Sequence, residues 1–261
     1  MNEYRNKKKK EKRKIFLIQL LLVIVLIFLW ELFSRLGIIN DFLFSSPSKI
    51  LKLFQTYLKS HEIFKHIGIS LLETVLGLFI GTTFGIFIAI IIWWFPLLSR
   101  VLDPFLVILN ALPKTALAPI LIIWAGTGIK GITVVAVSIS LVLTIISCYN
   151  YFKGIEYEKI KMLKTFNATK FQILKYLIIP ANIPNIINII KINIGMTWVG
   201  VIVGEFLVSR AGIGYLIVYG SQVFRMDLVM MGVIILAIIA FLMYEIVNIF
   251  EKKIKKERGI L

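Results

Sequence analysis

The sequence predicts an all-α integral membrane protein of about six transmembrane helices. Three observations carry that expectation. Of the 261 residues, 59% are hydrophobic, against roughly 45–50% in soluble domains, and the mean hydropathy is +0.89. Apolar runs recur at about the 20-residue length that a membrane span needs. Lys and Arg number 30 against 14 Asp and Glu, and they gather just outside those runs, as membrane topology requires. The apolar excess excludes a soluble enzyme, and it also excludes an intrinsically disordered chain, which needs low hydrophobicity. The placement of the basic residues argues against a nucleic-acid patch. The single cysteine, Cys148, lies inside an apolar run, cannot form an internal disulfide, and reads as a small hydrophobe.

Residues 1–14 form a basic N-terminus with eight Lys and Arg, including Lys7 to Lys10. The apolar run that follows, within 15–36, is too long for a signal peptide and lacks a small-residue cleavage site. It is expected to be the first transmembrane helix. Residues 37–66 hold Pro47, Ser45, Ser46, Ser48, four lysines and both histidines. They read as an exposed extracytoplasmic connection with a short amphipathic helix near 48–60, which Ser46 or Ser48 can cap.

The core, 67–250, supplies five more spans. The second runs from Ile67 to Trp94 and ends near Pro96. The third, Val101 to Ala125, is interrupted by Pro113 and Pro119, and Gly126-Thr127-Gly128 is a turn. The fourth is Ile132 to Tyr149, the fifth Leu177 to Leu207, and the sixth Leu228 to Phe250. A basic tail, 251–261, closes the chain. With six spans both termini lie on one side. On that side 20 of the Lys and Arg fall in 1–14, 95–100, 150–176 and 251–261, against seven on the other. The positive-inside rule therefore makes both termini cytoplasmic.

No chemistry of catalysis is written in the chain. The G-x-x-x-x-G-K-[ST] phosphate loop is absent, so ATP is not hydrolysed here by that route. His61-Glu62 with His66 approaches a zinc-protease motif, but the second His is at i+5, about 100° further round a helix than the i+4 position. No metal site is expected. Gly77, Gly81 and Gly85, at i, i+4 and i+8, form a smooth stripe for close helix packing or a dimer contact. Among charges in or near spans, Glu31, Glu73 and Glu245 lie close to span ends, within reach of the interface. Lys114 and Glu205 are harder to place there, since a charge deep in the bilayer costs about 2.5–3.5 kcal/mol on insertion scales. Lys114 follows Pro113, where the helix is broken, and irregular backbone at membrane depth needs protein or a wet cavity beside it. Residues 110–119 are thus a candidate pathway wall.

The loop 150–176 carries the most information. Residues 156–166 form a helix with Ile160, Leu163 and Phe166 on one side and lysines on the other. Asn167 suits a left-handed C-terminal cap. Thr169-Lys170-Phe171-Gln172 reads as a capping box that opens a new helix, and Pro180 and Pro184 mark the start of the fifth span. Helix, tight break and helix make a rigid amphipathic docking element.

With these residues in view, the chain resembles the inner-membrane permease subunits of binding-protein-dependent ABC importers, specifically the nitrate/sulfonate/taurine group. The resemblance spans about 28–250. It includes LWELFSRLGII at 29–39, SPSKIL at 46–51 and LDPFLVILNALPKTALAPILIIWAGTGIK at 102–130. It continues with LKTFNATKFQILKYLIIPANIPNII at 163–187 and WVGVIVGEFLVSRAGIGYLI at 198–217. In such permeases this loop carries a Glu-Ala-Ala…Gly motif and forms the coupling helix seated on the ATPase. Here Lys161, Met162 and Leu163 stand for Glu-Ala-Ala, and Asn167 stands for Gly.

The resemblance implies the type I (MetI-like) importer bundle in the plasma membrane. It implies a homodimer of two permease copies, two ABC ATPase subunits and an extracytoplasmic solute-binding protein. ATP and Mg would be bound by the ATPase, so this chain is expected to be a transport subunit, not an enzyme, with no cofactor of its own. Carried over by position, the ATPase interface is Lys161, Leu163, Lys164, Phe166, Asn167, Ala168, Thr169, Phe171 and Gln172. Pathway or gate candidates are Asn110, Pro113, Lys114, Pro119, Trp198 and Glu205. Binding-protein contacts are Ser209, Gly212, Gly214 and Tyr215. The expected solute is an aliphatic sulfonate, taurine or nitrate. The alternatives are a thiamine- or riboflavin-type precursor, or an ion-coupled secondary transporter.

Overall fold

A computed structural model describes residues 2–257 of the chain; Met1 and the last four residues of the basic tail lie outside the described residues, as do the side chains of 2–9, 12 and 257. All regular structure among them is helical: α1 (Asn2–Arg35), α2 (Asp41–Phe44), α3 (Pro47–Lys59), α4 (Glu62–Trp94), α5 (Pro96–Ala111), a 3₁₀ turn (Lys114–Leu117), α6 (Ala118–Ala125), α7 (Ile129–Lys153), α8 (Tyr157–Thr165), α9 (Lys170–Ile173), a π turn (Leu174–Ile178), α10 (Ile179–Val208), α11 (Ile213–Gln222) and α12 (Met226–Glu257). Five stretches are long and apolar enough to cross a membrane: residues 13–35, 62–94, 129–153, 170–208 and 226–256. The pair α5 and Lys114–Ala125, bent by 84°, makes a sixth if it counts as one broken span. Five of the six expected spans are thus present by length and composition, and the third is a helix pair bent at the break that its prolines predict.

The chain divides into two units. One comprises residues 1–63 and 217–233. Its apolar run Ile15–Leu29 is exposed throughout, as befits a helix whose solvent is lipid. At the end of α1 a polar knot fixes the turn into α3. Ser34 Oγ donates to Asp41 Oδ1 at 2.7 Å, Lys49 pairs with Asp41, and Ser48 N–H donates to Glu31 Oε2 at 3.0 Å. Lys49 and Ser34 hold the Asp41 carboxyl below the usual carboxylate range. Of the two expected caps, Ser46 occupies the N-cap position but its hydroxyl meets Ser48 Oγ at 3.2 Å rather than the backbone. Pro47 at the first position of α3 leaves one orphan amide fewer to satisfy.

The second unit comprises residues 64–216 and 234–261, and its centre is α7. Ile132, Ala136, Ser140 and Thr144 follow i, i+4 spacing along α7 and meet glycines on both sides. A Cβ added at Gly77 would come within 2.8 Å of Ala136 Cβ, one at Gly81 would overlap Ser140 Oγ, and one at Gly85 would lie 2.5 Å from Thr144 Cβ. On α10, a Cβ at Gly200 would meet Ala136 Cα at 2.5 Å, and one at Gly204 would meet Ile132 Cα at 3.1 Å. The stripe on α4 is thus filled by α7 of the same chain. In lipid no hydrophobic effect draws helices together, and small residues let backbones approach closely. Asn193, fully buried on α10, locks the arrangement by donating to Thr82 Oγ1 at 3.0 Å and to Thr144 Oγ1 at 2.7 Å.

Lys191, also on α10, is held by partners on α12. Its ammonium pairs with Glu251 and donates to Asn248 Oδ1 at 2.9 Å on α12, with the Tyr244 ring 5.2 Å away. An intramembrane charge is held by its partners here, as the cost of leaving it alone demands.

Two outcomes test this packing. Gly81→Leu must displace α7 backbone, and overpacking costs about 1–3 kcal/mol or more; its melting temperature in detergent is expected to fall well below wild type. Gly68→Ala, where nothing lies within 4 Å, should leave it unchanged or raised. Lys191→Met should lose less than the roughly 3–5 kcal/mol of a fully stranded buried charge, because Glu251 keeps Lys255 at 2.7 Å, and the double variant Lys191→Met, Glu251→Met should recover most of that loss in the same assay.

Candidate functional site

The loop between α7 and α10 is built as a rigid hairpin. α8 ends in a complete Schellman motif: Ala168 N–H donates to Leu163 O at 3.1 Å and Asn167 N–H to Lys164 O at 2.9 Å. Asn167 has φ 57°, the left-handed conformation that Asn adopts more readily than other non-glycine residues. Thr169 then opens α9 through a reciprocal capping box: Gln172 N–H donates to Thr169 Oγ1 at 3.3 Å and Thr169 N–H to Gln172 Oε1 at 2.7 Å. Cap and box follow each other without a spare residue, so the direction of the break is fixed.

Ile160, Leu163 and Ala168 pack against the core formed by Trp93, Trp94, Cys148, Tyr149 and Phe152. Lys170 adds a second tie by donating to Trp94 O and lying over the Trp93 and Trp94 rings at 5.7 and 5.5 Å. Phe166, expected on the same side as Ile160 and Leu163, is instead 77% exposed. The helix stops at Thr165; Phe166 is its C-cap, with its N–H donating to Leu163 O at 3.2 Å, and the left-handed reversal follows at Asn167. Phe171, 60% exposed, joins it, with Lys161, Lys164, Asn167, Thr169 and Gln172 also exposed around the pair. Phe166 and Phe171 are thus both exposed, and Lys161 and Lys164 are exposed on the same loop. Beyond them, the π turn Leu174–Ile178 runs directly into α10, where Pro180 in the first turn lacks an amide to donate.

The broken span places Asn110, Pro113 and Pro119 on exposed surface of the single chain. Lys114 is half-buried and its ammonium returns to Asn110 O at 3.1 Å. These four residues lie together at the bend between α5 and α6. Trp198 and Glu205 do not join them. Trp198 is 3% exposed, with its indole N–H unpartnered in the core. Glu205 lies in the last turn of α10, fully buried, and faces the start of α11.

There the chain forms its densest polar cluster. Ser70 Oγ donates to Glu205 Oε1, and Gly214 N–H donates to Glu205 Oε2. Ile213 N–H donates to Ser70 Oγ at 2.7 Å, and His66 Nδ1 lies 3.0 Å from Gly212 N. Gly212, at φ 120°, and Gly214 leave room for the carboxyl, since a Cβ at either would meet it. Both glycines are buried, Ser209 and Tyr215 are half-buried, and Arg210 is exposed. Glu73, which the sequence placed near the interface, is instead 1% exposed. Also not anticipated is α11, which occupies part of the stretch between the fifth and sixth expected spans. Its glycines masked a 10-residue helix that Glu205 helps to cap.

Residues 81–256 match the family described as binding-protein-dependent transport system inner membrane component. A probable ABC transporter permease protein of Haemophilus influenzae is 30% identical over 220 residues, 84% of this chain and 89% of that protein. The putative aliphatic sulfonates transport permease protein SsuC of Bacillus subtilis is 29% identical over 236 residues, 90% of this chain and 85% of its own. Relatives of 24% to 27% identity are named for taurine, formylaminopyrimidine and riboflavin transport. In fold, the chain is similar to the MetNI methionine ABC transporter in its inward-facing conformation, with a TM-score of 0.64 at 15% identity over 75% of this chain and 97% of that one. The family match covers more than half of the chain, and the broken third span and the capped loop both lie within it. The chain belongs to the binding-protein-dependent transport system inner membrane component family, the permeases of ABC importers.

Proposed function

We propose that two copies of this chain form the transmembrane pathway of an importer for a small solute, delivered by an extracytoplasmic binding protein and driven by ATP hydrolysis on separate subunits. The observation that carries the proposal is the outward display of Phe166 and Phe171 on a loop whose other face is tied to the core. A partner that moves those rings moves the bundle. Family membership implies an ATPase and a binding protein, and the chain has no phosphate loop of its own.

The proposed orientation puts 150–176 and both termini in the cytoplasm, following the positive-inside count. ATP binding closes the ATPase pair, the 156–176 hairpin travels with it, and the spans rock between outward- and inward-open states. That requires each permease state to be coupled to a different ATPase state. The bend at Asn110–Pro119 lines or gates the path. The segment Ser209–Tyr215 meets the binding protein, with Gly212 and Gly214 shaping its backbone from within. An aliphatic sulfonate, taurine or nitrate is the proposed solute. The names of the sulfonate and taurine relatives support that choice, and those of the formylaminopyrimidine and riboflavin relatives mark its breadth. Ion coupling has less support, because Lys191 is engaged by Glu251 and Asn248 within the chain.

The first test is a mild-detergent pull-down from native membranes. Wild type should bring down an ATPase subunit, and the Phe166→Asp, Phe171→Asp variant should lose it while keeping its own yield. Wild type arriving alone in several detergents would remove the driven mechanism. A finer test addresses the break. Asn167→Gly should retain the ATPase, since glycine holds the same left-handed turn. Asn167→Val should weaken retention at least about fivefold, because a β-branched residue at that φ costs on the order of 1–2 kcal/mol.

A further inference from the structure

A cavity of about 430 Å³ lies beside α8, and the transport reading gives it no occupant. Its walls are the end of α4, the start of α5, the last turn of α7 and Ile160 of α8. Ile92, Tyr149 and Phe152 are buried and form the floor, whereas Arg100 and Lys153 are exposed at the rim. A hydrogen bond between the Ser99 and Tyr149 hydroxyls already joins the α5 and α7 walls. Three spans meet this level: 62–94 and 129–153 end here, and the bent pair Pro96–Ala125 begins here. The cavity therefore sits where hydrocarbon gives way to headgroups, a level that Trp93 and Tyr149 in its walls also mark.

Arg100 from α5 and Lys153 from α7 bring two cations to this one cavity. Lys153 Nζ lies 5.8 Å from the Tyr149 ring, and a third cation, Lys170, lies over the Trp93 ring at 5.7 Å. Among the described residues no Asp or Glu lines the cavity. Asp103 and Glu156, the acids nearest to Arg100 and Lys153 in sequence, pair with neither of them, and Glu156 pairs with Lys159 at 3.2 Å. A guanidinium and an ammonium on opposite walls are complementary to a phosphate, the first as a bidentate fork and the second as a point charge. Beside Arg100, Leu97, Val101 and Phe105 follow i, i+4 spacing along α5, each more than half exposed. That stripe is an apolar track leading from the cations into the hydrocarbon. Free phosphate would use the cations alone; a phospholipid uses both.

We propose that this cavity binds the headgroup of an anionic phospholipid, with Arg100 and Lys153 on its phosphate and an acyl chain along Leu97, Val101 and Phe105. Basic pockets between spans are the usual form of such sites. The bound headgroup bridges the start of the broken span and the foot of the 156–176 hairpin, the two parts that the transport reading sets in motion. Binding depends on residence in the membrane alone. It needs no ATPase, binding protein or solute, so its failure and the failure of the transport reading are separate results.

The test is native mass spectrometry of the full chain in mild detergent, with any subunits that copurify. The protein is titrated with phosphatidylglycerol or with phosphatidylcholine of the same acyl chains. Wild type should retain phosphatidylglycerol at least about tenfold more tightly. Arg100→Gln and Lys153→Gln should each weaken that retention about fivefold, the share of one basic residue near an anionic headgroup, and leave phosphatidylcholine unchanged. Both positions are exposed, where substitution usually leaves folding intact, and melting temperatures in phosphatidylcholine alone check it. The wild-type comparison of the two lipids stands without either variant. Lys65→Gln with Lys130→Gln removes exposed cations at the opposite ends of the same two spans and should leave retention at the wild-type level. Glycerol phosphate, the headgroup without chains, should not displace the lipid even in large excess. Equal retention of the two lipids by wild type overturns the proposal. So does an equal loss in the Lys65, Lys130 control, which would reduce the effect to overall charge. Displacement by glycerol phosphate overturns it too, by making the cavity a site for free phosphate.

Discussion

Close approach of helix backbones around α7 is the constraint on which the rest of this permease depends. In water, a bundle of this size is held by burying apolar side chains. In lipid that drive is absent, and packing contact and hydrogen bonds must suffice. The chain meets the demand by placing Ala136 between Gly77 on α4 and Gly200 on α10, with Ser140 and Thr144 continuing the seam along Gly81 and Gly85. Only with the side chains this small can Asn193 reach Thr82 and Thr144 at once. The rigid centre that results is what lets a displacement at one end of the bundle appear at another.

Departures from regular helix fall outside that centre, and each is stabilised by its own local device. The bend at Pro113 frees backbone groups that the Lys114 ammonium partly serves. The turn after α8 satisfies its carbonyls through Asn167 and Ala168. The gap between α10 and α11 is closed by Glu205, which takes up amides at the start of the second helix. Exposed loops could leave such groups to water. Segments at membrane depth cannot.

Much of this was legible in the residues. The Asn167 turn and the Thr169–Gln172 box are local chemistry, settled by neighbours within five positions, and sequence spacing reports such features faithfully. The prolines announced the broken span for the same reason. Phe166 went astray because the helix pattern was carried onto the C-cap residue, beyond the last residue of α8. The helix α11 was obscured by Gly212, Gly214 and Gly220, residues that ordinarily signal a loop. Here Gly212 and Gly214 are the room that Glu205 requires, and that need lies upstream of both, on another helix.

Composition, run length and charge asymmetry, by themselves, determined a polytopic helical membrane protein with a structured loop at 150–176. Those are properties of hydropathy and of short-range hydrogen bonding, and they need no partner far away in sequence. Only the tertiary structure decided which polar residues belong together. Glu73 looked like an interfacial acid and proved to be buried, and Glu205 found Ser70 on α4. Lys191 found Glu251 and Asn248, and Asn193 found Thr82. A buried polar group at membrane depth must have a partner, but the rule does not say where along the chain that partner lies. Helix packing supplies the address.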